Sequence, residues 1–257
     1  MRRCIDCILV VLPFIFVSFM EIPERICFSA HIPATSSSVK DSTEVSRDTF
    51  ESGLQDLYDA IDARKYELKY DAFRYALIGY KALRRENRLN DKELISIIDF
   101  TRSSCEKRFY TIDLCRKKIL FNTYVSHGKN SGGDTSSEFS DECESHRSSI
   151  GFYVTGATYT GNNGFSMRLY GYEEGYNANL YNRAVVVHTA DYVSEDFIRR
   201  HGRLGRSYGC PVLPRHIYKD IIDKIKDGTV IFAYYNDKTY LQNSKYTRIA
   251  PDLITSL

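Results

Sequence analysis

Cys210 closes the stretch GRLGRSYGC at 202–210, and His188 closes the apolar run AVVVH at 184–188. A thiol works as a nucleophile when a base lies in hydrogen-bond reach, another group holds that base, and donors await the developing oxyanion. His188 stands where an apolar, strand-like run emerges, a place that fixes an imidazole rigidly. Gly209 lets the backbone at 208–210 turn sharply and aim successive N–H groups at one point. Pro211 has no N–H, which leaves Tyr208, Gly209 and Cys210 as the oxyanion donors of this turn. Arg206, four residues before the thiol, could favour the thiolate or hold a substrate carboxylate, and Arg203 is a second carboxylate contact. Other chemistries fit less well. GRLGRS has neither phosphate-loop order, and a zinc site from His188, His201 and Cys210 lacks close ligand pairing. A buried structural cysteine beside a satisfied core histidine is the plain alternative.

The elements that must position these residues are strands. LISIIDF at 94–100, RFYTIDL at 108–114 and KKILFNTYVSH at 117–127 are β-branched or aromatic, and the last two read as a hairpin with Cys115 and Arg116 at its turn. Strands are also expected at 151–160, 165–172 and 183–189, with GNNG at 161–164 a turn. LPRHIYKDIIDKIKDG reads as a helix with Pro214 in its first turn, Ile217, Ile221 and Ile225 on one face and Gly228 as C-cap, and TVIFAYY at 229–235 closes the fold. The Ser- and Gly-rich residues 128–148 read as a long surface loop, functional or disordered. Ahead of the strands, Phe73, Ala76, Leu77, Tyr80 and Leu83 form one helical stripe, and 54–64 a shorter helix. The fold class is therefore mainly β, of α+β type, with N-terminal helices and a C-terminal helix and strand.

The 257 residues suffice for one large or two small domains, and a net charge of +2 with no long basic run gives no argument for nucleic acid. Arg2 and Arg3 precede the uncharged ILVVLPFIFVSFM at 8–20, which as a helix rises only about 20 Å against a hydrocarbon core of about 30 Å. Residues 1–30 therefore read as a cleaved signal peptide, with no membrane association afterwards. Ser- and Thr-rich residues 31–48 read as a flexible linker, 49–93 as a helical segment, 94–240 as the catalytic domain and 241–257 as a tail. Cleavage removes Cys4, Cys7 and Cys27. Of the cysteines that remain, one pair among Cys105, Cys115 and Cys143 could form a disulfide in an exported protein.

The order His188, then Ser207-Tyr208-Gly209-Cys210, resembles the signature of the L,D-transpeptidase (YkuD-type) catalytic domain, and HGRLGRSYGCPVLP at 201–214 is similar to its murein branch. The likeness extends to IDF at 98–100, HGKNSG at 127–132 and SSIGFYVTGATYTGNNGFSMRL at 148–169. It implies an L,D-transpeptidase-like β-sandwich or barrel, located in the periplasm or otherwise outside the inner membrane and acting on peptidoglycan stem peptides. In that chemistry Cys210 attacks the peptide carbonyl and His188 is the base, oriented by the carbonyl of Thr189. A second stem's amine resolves the acyl-enzyme; water would make the protein an L,D-carboxypeptidase or murein hydrolase. No metal or organic cofactor is implied. Thr189 stands where the wider family commonly has glycine, and Tyr208 where it often has a second histidine. Ser207, Tyr208, Arg203, Arg206 and His127 are candidate substrate contacts. A non-catalytic wall-binding relative is the remaining alternative.

Overall fold

The final strand among the described residues lies at the centre of the sheet rather than at its edge. The computed structural model describes residues 38–249, with side chains from 47 onward, so the proposed leader lies outside the described residues. The strands are β1 (Leu94–Asp99), β2 (Phe109–Asp113), β3 (Lys118–Thr123), β4 (Gly151–Gly161), β5 (Gly164–Gly171), β6 (Val186–Thr189), β7 (Val212–Leu213) and β8 (Val230–Tyr234). They form one eight-stranded sheet in the order β3-β2-β1-β8-β4-β5-β6-β7. Neighbours are antiparallel except β1 with β8 and β6 with β7. Just past β3, Ser126 bridges to Val212 in β7, with its N–H donating to the Val212 carbonyl at 3.0 Å. The sheet thereby nearly closes on itself.

Central strands buried on both faces need apolar residues at every position, which is why TVIFAYY reads as a continuous run. Val230, Phe232 and Tyr234 face one core, and Ile231 and Ala233 the other, as the two-residue strand period requires. The first core is capped by helices α1 (Ser38–Ala60) and α2 (Tyr70–Arg85). On α1, Phe50, Leu54 and Tyr58 recur every four residues and are buried, and on α2 the stripe from Phe73 to Leu83 is buried. Gly79 brings α2 onto the sheet: a Cβ there would lie 2.0 Å from the Phe152 ring. Inside the curved sheet, the second core gathers Met167, Leu169, Val187 and Leu213 with Ile221, Ile222 and Ile225 of helix α4 (Tyr218–Ile225).

Several expectations are corrected. Helix α1 starts at Ser38, inside the segment read as a linker, because the Phe50–Leu54–Tyr58 stripe anchors a helix that continues N-terminally through Ser- and Thr-rich sequence. Helix α4 starts four residues after Pro214, whose carbonyl accepts the Tyr218 N–H at 3.1 Å. Its C-cap is Lys226, and Gly228, at φ 96, instead donates to the Thr155 carbonyl at 2.7 Å. The stretch 241–249, read as tail, is packed: Tyr246 is 1% exposed and donates to Glu86 at 2.9 Å. Helices α3 (Glu195–His201) and α5 (Lys238–Asn243) were not expected at all. The loop at 128–148 is ordered, with Ser131, Ser136, Asp141 and Ser148 buried. Cys105, Cys115, Cys143 and Cys210 are all free thiols, so no disulfide joins the first three.

Candidate active site

Parallel pairing of β6 with β7 sets His188 opposite Val212 and Thr189 opposite Leu213. Two residues back along each strand, the same register carries Cys210 beside Val186, whose N–H points at the sulfur at 3.4 Å. The thiol in turn points at the Ala184 carbonyl at 3.9 Å. Cys210 and His188 open onto one cleft of about 370 Å³, shared with Asn163, Tyr192, Arg206, Ser207 and Tyr208.

His188 is held by its neighbour in the chain: Nδ1 donates to the Thr189 carbonyl at 3.0 Å. That bond fixes the tautomer and leaves Nε2 as the basic nitrogen. Burial lowers the imidazole pKa, and the Thr189 carbonyl opposes the shift, so the ring is neutral near pH 7. The Thr189 hydroxyl is turned away and donates to the Leu213 carbonyl at 2.9 Å, tying β6 to β7. A β-branched residue thus fits where the wider family often has glycine, because only the carbonyl meets the histidine. Burial pushes the Cys210 thiol pKa up, with the Val186 N–H opposing it. A neutral thiol and a neutral imidazole that line one cleft are the pair from which a proton can pass to Nε2 as the sulfur attacks.

Ser207 shapes the nucleophile turn. Its N–H donates to the His127 carbonyl at 2.9 Å, its hydroxyl donates to the Cys210 carbonyl at 2.7 Å, and the same oxygen accepts the Gly209 N–H at 3.1 Å. Gly209 sits at φ 119, where a Cβ would also lie 2.7 Å from the Arg147 carbonyl oxygen. Its N–H being engaged, the expected trio of oxyanion donors reduces to Tyr208 and Cys210, whose N–H groups meet no protein acceptor among the described residues.

The model of the L,D-transpeptidase catalytic domain matches residues 64–234, about two thirds of the chain. The chain belongs to that family. Solved structures that it resembles include an L,D-transpeptidase from Mycobacterium smegmatis at 14% identity and TM-score 0.36, covering 56% of this chain and 59% of that one. Another, from Stackebrandtia nassauensis, shows 15% identity and TM-score 0.34, covering 67% of this chain and 68% of that one. No curated protein matches.

Within this L,D-transpeptidase domain the remaining predicted residues divide. Arg206 lines the cleft, braced by the Gly132 carbonyl at 2.7 Å and the Lys129 carbonyl at 3.2 Å. Tyr208, 67% exposed, is stacked on His146 at 4.3 Å and carries the Lys129 ammonium 4.4 Å from its ring centre. Arg203 does not reach the cleft; it donates to the Leu204 carbonyl at 2.7 Å. His127 is buried away from it, with Nδ1 accepting from Arg108 at 2.7 Å. Burial and then the Arg108 guanidinium drive its pKa down to about 3, which leaves a neutral ring and a structural backbone carbonyl. Asn163 and Tyr192 line the cleft without having been singled out. Asn163 was absorbed into the GNNG turn. Tyr192 follows the histidine strand by three residues, in VHTADY at 187–192, which carries no motif around the tyrosine, and burial pushes its phenol up to about 12.

Proposed function

We propose that the protein is an exported cysteine acyl-transferase that cross-links peptidoglycan stem peptides. The observation that carries this reading is the shared cleft of Cys210 and His188, in which one imidazole nitrogen is committed to the Thr189 carbonyl and the other is left basic. Family membership supplies the reaction class.

In the acylation step the Cys210 sulfur attacks the carbonyl that joins the L-centre of the third stem residue to the terminal D-alanine. The thiol proton moves to Nε2 of His188, and the oxyanion is met by the Tyr208 and Cys210 N–H groups. Collapse expels D-alanine, which leaves with the proton from His188. The amine of a second stem then attacks the thioester, forming the new peptide bond and returning the thiol. Arg206 at the cleft wall is the cation available to a stem carboxylate. Export follows from the leader expected at residues 1–30, and places the protein in the periplasm or elsewhere in the envelope.

Incubation of the purified protein with tetrapeptide muropeptides, followed by mass spectrometry, tests the reading. Cross-linked dimers that vanish in Cys210→Ala are expected. Tripeptides alone would make the protein an L,D-carboxypeptidase, and full activity in Cys210→Ala would overturn the mechanism.

A further inference from the structure

Arg183 precedes β6, and its guanidinium is spread across the loop at 128–149. Nη1 donates to the Ser140 carbonyl and to Ser149 Oγ, both at 2.8 Å. Nη2 donates to the Arg147 carbonyl at 2.6 Å and to Ser145 Oγ at 3.3 Å. The side chain is 3% exposed, and its carboxylate neighbour, buried Asp141, stands off at 3.8 Å. Burial raises the Asp141 pKa, which weakens it further as a counter-charge.

The far edge of the same guanidinium faces the nucleophile turn. A Cβ placed on Gly209 would lie 3.2 Å from Nη2 and 2.7 Å from the very carbonyl that Nη2 holds. Ser148, in the same loop, donates to the Gly209 carbonyl at 3.2 Å. The next residue after the arginine, Ala184, adopts φ 51 and presents its carbonyl to the Cys210 thiol. One planar fork thus joins three parts: the 128–149 loop, the entry to β6 and the turn that carries Cys210. A point-charge ammonium could not make these four bonds together.

We propose that Arg183 is a positioning residue for Cys210, locking the loop against the Gly209 turn and setting a positive charge behind the thiol. The inference rests on Cys210 being the reactive thiol. A buried thiol resists ionisation, and a cation at its turn restores part of the thiolate population. The other titratable or charged groups on the thiol's cleft are His188, Tyr192 and Arg206. The first two are uncharged near neutral pH, and the Arg206 guanidinium is bound to the Gly132 and Lys129 carbonyls at the cleft wall, so Arg206 alone of the three adds to the field that Arg183 sets.

The test is the pH dependence of Cys210 alkylation by iodoacetamide in the full chain, with mass mapping of the Cys210 peptide to separate it from the other six cysteines. Arg183→Gln raises the alkylation midpoint by about one pH unit, and Arg183→Lys recovers part of that shift. A folded Arg183→Gln protein with an unmoved midpoint overturns the proposal, as does an equal shift in Arg183→Lys. Should Arg183→Gln fail to fold, Ser145→Ala, which removes one acceptor of Nη2, raises the midpoint by less; no change there is equally fatal. Failure of the transpeptidase reading looks different: the unaltered chain turns over no muropeptide, while the alkylation shift in Arg183→Gln persists.

Discussion

Two histidines, one just beyond β3 and one within β6, approach β7 from its two sides where the sheet nearly closes, and do different work. His188 commits Nδ1 to a backbone carbonyl and keeps Nε2 for the cleft. His127 gives Nδ1 to the buried Arg108 guanidinium, while its own backbone carbonyl holds Ser207. Both rings are buried and both pKa values are lowered. What separates them is the partner on Nδ1 and the presence of a cleft at the other nitrogen. Burial alone does not make a histidine a base.

Replacing His188 is the harshest break of this comparison. His188→Gln lowers turnover of muropeptides by about 10² to 10⁴-fold with little change in melting temperature, as loss of a general base does. His127→Gln has the reverse signature, because the carbonyl that holds Ser207 survives the substitution. It leaves turnover within about ten-fold and costs stability of about 1–3 kcal/mol, measured by denaturant unfolding, since Arg108 loses a buried acceptor.

Smaller effects sharpen the same contrast. The folded pKa of His127, about 3, lies below its unfolded value near 6.5. Between those values the unfolded chain binds a proton that the folded chain does not, so stability falls as pH falls through that window. Its share is at most about 1.4 kcal/mol for each pH unit, and unfolding curves of His127→Gln lack that share of the slope. For His188 the lowered pKa means that the acid limb of the kcat/KM profile falls below the ordinary histidine value, and His127→Gln does not move it. The smallest change is expected for Thr189→Val. The carbonyl on Nδ1 remains and only the hydroxyl bond to Leu213 is lost, so stability drops by about 1 kcal/mol and turnover stays within a few-fold.

Much of this arrangement was legible in the residues. The hairpin at Cys115, the GNNG turn, the β-branched runs and the stripe on α2 follow from local pattern, and the site's core pair from residue chemistry. What pattern could not supply was long-range placement. TVIFAYY carries no mark that says it inserts between β1 and β4, since a strand buried on both faces looks the same wherever it lies in a sheet. Arg203 and Arg206 are alike in sequence, and only the bracing carbonyls of Gly132 and Lys129 turn one of them to the cleft. Arg183 shares in the family likeness as the arginine flanking the strand before His188, but its role was not legible because its partners come from a loop about forty residues earlier in the chain. The packed segment after Asn243 was hidden because its anchors, buried Ser244, Tyr246 and Thr247 and the Lys245–Glu86 ion pair, form no periodic apolar pattern.

The central claim is covalent chemistry at Cys210, and the most direct measurement is the mass of the enzyme trapped during turnover. Acid quenching of the full chain with a tetrapeptide stem, then peptide mapping, is predicted to find a tripeptide thioester on the Cys210 peptide, absent from Cys210→Ala and accumulating more slowly in His188→Gln. Cross-linked product formed at an unchanged rate by Cys210→Ala, or an adduct carried on another residue, would contradict the account.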